Sequence, residues 1–326
     1  MKEHSDPNEP NREWLVPEVA PGERRLDRFL QSRLPRLSRR MWQELFAAGK
    51  IRMNQRIAAK GDSVKSGDRI NVNLPTGLDA LPLADPSVRF TVPYQDPDLL
   101  VVDKPGLIPT HPLKVWERGT LANGLVSRFP ELRGVGPEPL EPGLVHRLDT
   151  GTSGLLLVAR QAEARERLKK DLARRRWTKK YLALVRGRLE REETITAPLA
   201  HHPGDRKKMM TVSADSPPPR GRVYRAETRV RPRQHWPEAT LVEVDLVTGV
   251  MHQIRVHLAG RGYPVIGDRL YGPENDAVSP LATGRHFLHA HFISFDQPLT
   301  GERLSCSSPL PDDLQEALAS LGPALD

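Results

Sequence analysis

His146-Arg147-Leu148-Asp149-Thr150-Gly151-Thr152-Ser153-Gly154, running on as Leu155-Leu156-Leu157-Val158-Ala159, decides how the rest of the chain is read. The five-residue apolar run is short and ends in charge, as a buried strand does. The Thr-Gly-Thr-Ser-Gly segment before it is turn chemistry, with glycines free to take positive φ. Asp149 therefore sits at the mouth of a buried strand, one residue removed from the cation Arg147. On these residues alone two readings stand: a reactive carboxylate, or a turn aspartate bonded to its own backbone.

Outward from this stretch, the composition sets bounds. The 326 residues suffice for one large domain and a small one. Aromatic content is only 5%, so the core is expected to be aliphatic. The single cysteine, Cys306, excludes an internal disulfide and a cysteine-based zinc site. No apolar run approaches 18 residues, and Met1–Gly22 is polar and proline-rich without a signal-peptide core. A soluble, reducing, cytoplasmic setting with no membrane association is expected.

The formal charge of +8 is unevenly spread. Residues 24–75 hold 13 Lys/Arg against 4 Asp/Glu, a net +9, which leaves −1 for everything else. A positive field confined to one module favours a polyanion, and nucleic acid is the usual one. In that module Leu26, Phe29, Leu30 and Leu34 recur at helical spacing up to Pro35. Ser38 can cap a second helix through Met41, Trp42, Leu45 and Phe46, with Gly49 past its end. Ile70, Val72 and Leu74 then alternate with polar residues as in a half-buried strand. Arg36, Arg39 and Arg40 flank the second helix start, where cations and helix dipole together attract phosphate.

The organisation expected is a disordered tail over 1–22, a basic module over 23–76, a linker over 77–89 and a catalytic domain over 90–326. In the last, Leu99–Lys104 reads as a buried strand stopped by Pro105. Gln161–Arg176 reads as a basic helix, and residues 165–180 carry 9 cations and 2 anions, suggesting a phosphate-tracking surface. Tyr181 opens a strand after Lys179-Lys180; its ring can stack on a base and its hydroxyl can move a proton. Adjacent residues on a strand face opposite ways, so His201-His202 is a poor metal pair. Arg206, Lys207 and Lys208 follow in an expected RNA-facing hairpin. Gly151-Thr152-Ser153-Gly154 lacks the Gly-x-Ser-x-Gly of a nucleophile elbow, which excludes a serine hydrolase.

The quoted stretch matches His-Arg-Leu-Asp-x-x-Thr-Ser-Gly, and it resembles the signature of the RluA-type pseudouridine synthases. Lys104-Pro105, Lys179-Lys180-Tyr181 and His252-Gln253-Ile254-Arg255 resemble that family's other motifs, in order. Residues 24–75 resemble an S4 RNA-binding domain. The implied fold is α+β: a small S4-like module, then a mixed, largely antiparallel sheet with flanking helices. The implied activity is isomerisation of uridine to pseudouridine in structured RNA, large-subunit ribosomal RNA first and tRNA as the alternative. The resemblance makes Asp149 the nucleophile, Arg255 its partner, Tyr181 an active-site residue and Arg147 an RNA contact. It implies no cofactor, no metal and no obligatory protein partner, with a monomer expected. Two departures stand out: Val250 replaces an arginine of the motif, and Gly106 follows Pro105 directly. They are the only support for the rival reading, a non-catalytic RNA-binding protein on a degenerate synthase body.

Overall fold

The computed structural model describes residues 11–34, 37, 39–74, 82–213, 219–273 and 284–325. The chain divides into two compact units. The first runs to Ser87 and includes His111–Arg133 and Glu138–Pro142; the second takes Val88–Thr110, Gly134–Pro137 and Gly143–Asp326.

The first unit contains β1 (Asn11–Leu15), α1 (Leu26–Arg33), α2 (Arg39–Ala47), β2 (Ile51–Met53), β3 (Arg56–Ile57), β4 (Arg69–Asn73) and α3 (Leu121–Arg128). Its four strands form an antiparallel sheet in the order β1-β4-β2-β3. Leu26, Phe29 and Leu30 of α1 and Met41, Trp42 and Leu45 of α2 are buried with Ile51, Ile70 and Val72 of the sheet. Each such side chain removed from water contributes about 1.5–3 kcal/mol. Gly49, at φ +63°, ends α2: its N–H donates to Phe46 O and Lys50 N–H to Leu45 O, satisfying the last carbonyls. Ser38, expected as the cap of this helix, lies outside the described residues.

Residues 11–22, expected in a disordered tail, are ordered instead. Asn11–Leu15 pairs along β4 from Asn73 to Arg69, and Val16 is buried. An edge strand is held by main-chain bonds, which polar side chains do not prevent. Of the expected linker, residues 82–87 belong to the first unit, with Leu83 in its core; residues 77–81 lie outside the described set. Residues 111–133, expected in the catalytic domain, also pack in the first unit, where Val115 joins the core.

The second unit contains β5 (Thr91–Gln95), β6 (Leu99–Lys104), β7 (Ser153–Ala159), α4 (Ala162–Ala173), β8 (Thr178–Arg186), β9 (Glu193–Ile195), β10 (Leu199–His201) and β11 (Met209–Thr211). It continues with β12 (Arg220–Tyr224), β13 (Thr228–Trp236), β14 (Ala239–Leu246), α5 (Gln253–Gly260), β15 (Leu288–Asp296), β16 (Arg303–Ser307) and α6 (Asp312–Ser320). The large sheet has the order β5-β6-β7-β15-β8-β14-β13-β9, with β16 on β15. It is antiparallel except for β7 against β15. β7 is buried along its whole length, so it reads as an unbroken apolar run rather than an alternation. A second sheet, β11-β10-β12, carries the hairpin of Arg206–Lys208. Among the described residues no helix is long and apolar enough to cross a membrane.

Candidate active site

Asp149 sits in the turn that feeds β7, and several long-range bonds fix that turn. Thr152 N–H donates to Asp149 O. Leu148 O accepts from Thr110 Oγ1 at 2.7 Å. Thr152 Oγ1 meets His286 Nε2 at 2.8 Å, and Ser153 Oγ meets His289 Nδ1 at 2.9 Å. Arg285, fastened by Nε and Nη2 along one guanidinium edge to Asp313 of α6, donates from Nη1 to Gly151 O and Ser153 Oγ. Lys104, wholly buried at the end of β6, donates to Pro105 O, Ile108 O and Thr150 O. Burial pushes its ammonium down to about 7, while the charges of Asp149 and Asp103 pull the other way. Three carbonyl acceptors satisfy all three of its protons, a pattern that favours the charged form.

The carboxylate itself faces α5. Arg255 Nη1 donates to Asp149 Oδ2 at 2.9 Å. The other edge of the same guanidinium is taken by Asp268, through Nε to Oδ2 at 2.6 Å and Nη2 to Oδ1 at 2.8 Å. Burial raises the proton affinity of Asp149, but its neighbours His252 and Arg255, the latter through both its charge and its hydrogen bond, outweigh it and hold the carboxyl below its ordinary range. Asp268 is held low in the same way, chiefly by its bonds to Arg255 against burial. Burial opposes the Arg255 charge, and the two aspartates more than restore it. Asp149 is thus ionised and fixed in direction, as a nucleophile or base requires.

The motif around Arg255 divides its work by position. Gln253 Oε1 accepts from Thr248 Oγ1 and Val250 N–H, and its amide donates to Glu227 O and Thr228 Oγ1. That pins the loop before α5 to β13. His257, one turn on, bonds Thr228 Oγ1 and Ala197 O. Tyr181 of β8 is buried and lines the same pocket as Asp149, with Arg147, Val250 and His252. Burial, then the Asp149 charge, push the Tyr181 phenol well above its ordinary range, so it remains a neutral donor. Arg147 is exposed at the pocket edge.

The fold therefore brings Asp149, Arg255, Tyr181 and Arg147 together. Arg206 and Lys207 are exposed between β10 and β11, Lys208 is half-buried there, and none of the three lines this pocket. Arg39 is exposed at the start of α2, in the first unit; Arg36 and the Arg40 side chain lie outside what is described. The sequence reading missed Asp268, His252, Tyr271, His286 and Arg285. Asp268 had a visible signal, a lone carboxylate in Gly267-Asp268-Arg269.

Asp268→Asn leaves the buried Arg255 charge with one carboxylate in place of two. Losing one partner of a buried pair costs about 3–5 kcal/mol. A midpoint drop on the order of 10 °C in thermal unfolding is expected for a unit of this size. An unchanged midpoint would mean that the Asp268–Arg255 pair does not hold the site.

A family model described as RNA pseudouridylate synthase matches residues 98–260. An uncharacterized RNA pseudouridine synthase of Chloroflexus aurantiacus is 39% identical over 307 residues, 94% of this chain and 92% of that protein. The ribosomal large subunit pseudouridine synthase D of Xanthomonas campestris is 36% identical over 321 residues, 95% of this chain and 92% of that one. Among solved structures, human RNA pseudouridylate synthase domain containing 1 superposes with a TM-score of 0.53 at 25% identity, covering 73% of this chain and 98% of its own. With a family match across the segment that carries Asp149, Tyr181 and Arg255, and relatives alike over nearly its whole length, the chain belongs to the RNA pseudouridine synthases.

Proposed function

We propose that this synthase isomerises uridines of large-subunit ribosomal RNA, with Asp149 as the nucleophile. The observation that carries the reading is the Asp149 carboxylate bonded to Arg255 inside a pocket that Tyr181 also lines. The choice of RNA is supported by relatives named as ribosomal large subunit enzymes, at 36% identity in Xanthomonas campestris and 33% in Pseudomonas aeruginosa.

The chemistry is balanced within one nucleotide. The bond from N1 to the ribose C1′ breaks, the bond from C5 to C1′ forms, C5 loses a proton and N1 gains one. The target base leaves its stack to reach the pocket, at a cost of a few kcal/mol, and Arg147 at the pocket edge fills the gap or holds a phosphate. Tyr181 offers a ring face for stacking and a neutral hydroxyl for hydrogen bonding. Attack by Asp149 at C1′, attack at C6 and removal of a ribose proton all require the carboxylate ionised. The first unit acts as an S4-like RNA-binding module: within it residues 24–75 form a helix pair followed by strands and carry a net +9 suited to phosphate. Arg39, and with it Arg36 and Arg40, contact RNA there; Arg206, Lys207 and Lys208 do so from the second unit.

Pseudouridine mapping across ribosomal RNA and tRNA, in cells with and without the gene, tests this. Large-subunit sites lost with the gene and restored by its return are expected. Loss confined to tRNA would transfer the substrate to that class. A map identical in the two strains would remove the proposal.

A further inference from the structure

His252 occupies the backbone position before α5 in the left-handed conformation, φ 56° and ψ 17°. A non-glycine residue there is uncommon, and histidine is among the residues enriched in it. Its Nδ1 lies 2.8 Å from the Tyr271 hydroxyl, and its Nε2 lies 3.8 Å from Asp149 Oδ1. The Tyr271 oxygen already accepts the Met209 N–H at 2.8 Å. Among the described residues no acceptor other than His252 Nδ1 is within reach of the hydroxyl proton. The hydroxyl therefore donates to Nδ1, which leaves the imidazole proton on Nε2, the nitrogen that faces Asp149.

The charge state agrees with that chain of bonds. Burial lowers the proton affinity of His252 first, Arg255 and Arg147 lower it further, and Asp149 and Asp268 oppose them without reversing the result. The ring is neutral, so its approach to Asp149 is that of a hydrogen-bond donor rather than an ion pair. The Tyr271 phenol, pushed up to about 12 by burial, keeps its proton throughout the working range of pH. The two oxygens of Asp149 are thereby distinguished. Oδ2 is tied to Arg255; Oδ1 has His252 Nε2–H as its neighbour.

We propose that His252 is a positioning residue of the reaction: fixed as its Nε2–H tautomer by Tyr271, it holds Asp149 Oδ1 in the direction of the bound uridine. The 3.8 Å gap in the free protein closes to a hydrogen bond when the pocket fills and water leaves, as catalytic bonds commonly do. The arrangement also ties the carboxylate to the basic hairpin, because Met209, which anchors Tyr271, directly follows Lys208. The inference rests on Asp149 being the reacting group.

Two measurements test it. In protein labelled with ¹⁵N-histidine, long-range ¹⁵N–¹H correlation should show His252 with a pyrrole-type Nε2 and a pyridine-type Nδ1 at neutral pH. Tyr271→Phe should spread the population to both tautomers. In single-turnover assays on a large-subunit ribosomal RNA transcript, His252→Asn should lower the rate about 100-fold with little change in RNA affinity. Asparagine tolerates the left-handed backbone, but its shorter amide does not reach Asp149. His252→Gln, with an N–H of closer reach, should recover most of that loss. Tyr271→Phe should lower the rate about tenfold alone and add nothing to His252→Asn, since both act through one chain. A doubly protonated or Nδ1–H ring, or an unchanged rate in His252→Asn beside an inactive Asp149→Asn, would overturn the proposal. Activity retained in Asp149→Asn would instead remove the nucleophile reading, with the tautomer measurement still standing.

Discussion

Asp149→Asn is expected to abolish pseudouridine formation while leaving a folded protein that still binds RNA. The expected loss in single-turnover rate is at least about 10⁴-fold, the scale on which enzymes respond to losing a reacting group. Asparagine has the shape of aspartate and keeps an oxygen for Arg255 Nη1, but its amide nitrogen cannot act as nucleophile or base. The fold survives because Arg255 keeps its two bonds to Asp268, so no buried cation is stranded. The pH behaviour follows from the same geometry. The folded-state proton affinity of Asp149 is depressed, so its contribution to stability is present above the ordinary carboxylate value near ~3.9 and is lost as pH falls through the lower folded one. No limb in the rate profile between about pH 5 and 8 should therefore belong to Asp149. A rate within tenfold of the unaltered enzyme would end the nucleophile reading. An unfolded variant would show that Asp149 is needed structurally and that Asp268 alone does not hold Arg255.

What was legible in the sequence was what the backbone carries locally. The run Leu155–Ala159 read as a buried strand because both of its faces are covered, and the helix ending at Gly49 read correctly because the glycine supplies its own positive φ. Asp149, Tyr181 and Arg255 were picked out by motif; Asp149 lies in the turn before β7 and Arg255 in the first turn of α5, whereas Tyr181, expected to open its strand, lies inside β8, which begins at Thr178. Asp268 and Tyr271 were not, since their roles exist only once the segment after α5 folds back on Arg255 and His252. The tautomer of His252 depends on a Met209 amide 43 positions away in the chain, and no window of sequence holds that fact. β1 was missed because main-chain pairing, not side-chain pattern, recruits it. The assignment of residues 111–133 to the first unit was missed because unit boundaries follow packing rather than composition.

Gly154→Ala is expected to be the most damaging substitution outside the reacting groups. Gly154, the second residue of β7, has φ +111°, a region closed to residues with a Cβ. A Cβ added there would lie 2.3 Å from Ala290 O and 2.6 Å from Ala290 N, both main-chain atoms of β15. Such atoms cannot rotate away as a side chain would, so the strand must move. β15 pairs with β7 on one side and with β8, the strand of Tyr181, on the other, so a shift separates Asp149 from its pocket. Strain and clash together are expected to exceed about 4 kcal/mol, the range reserved for severe core lesions. Failure to accumulate soluble protein is the first sign to look for, and a collapsed unfolding midpoint the second. Gly262→Ala separates the two causes: its φ is +84°, yet nothing lies within 4 Å of an added Cβ. That variant should lose only the backbone contribution, about 1–3 kcal/mol. If both alanines cost the same, the close approach of β7 to β15 carries no weight, and the glycine that ends the Asp149 turn is there for its φ alone.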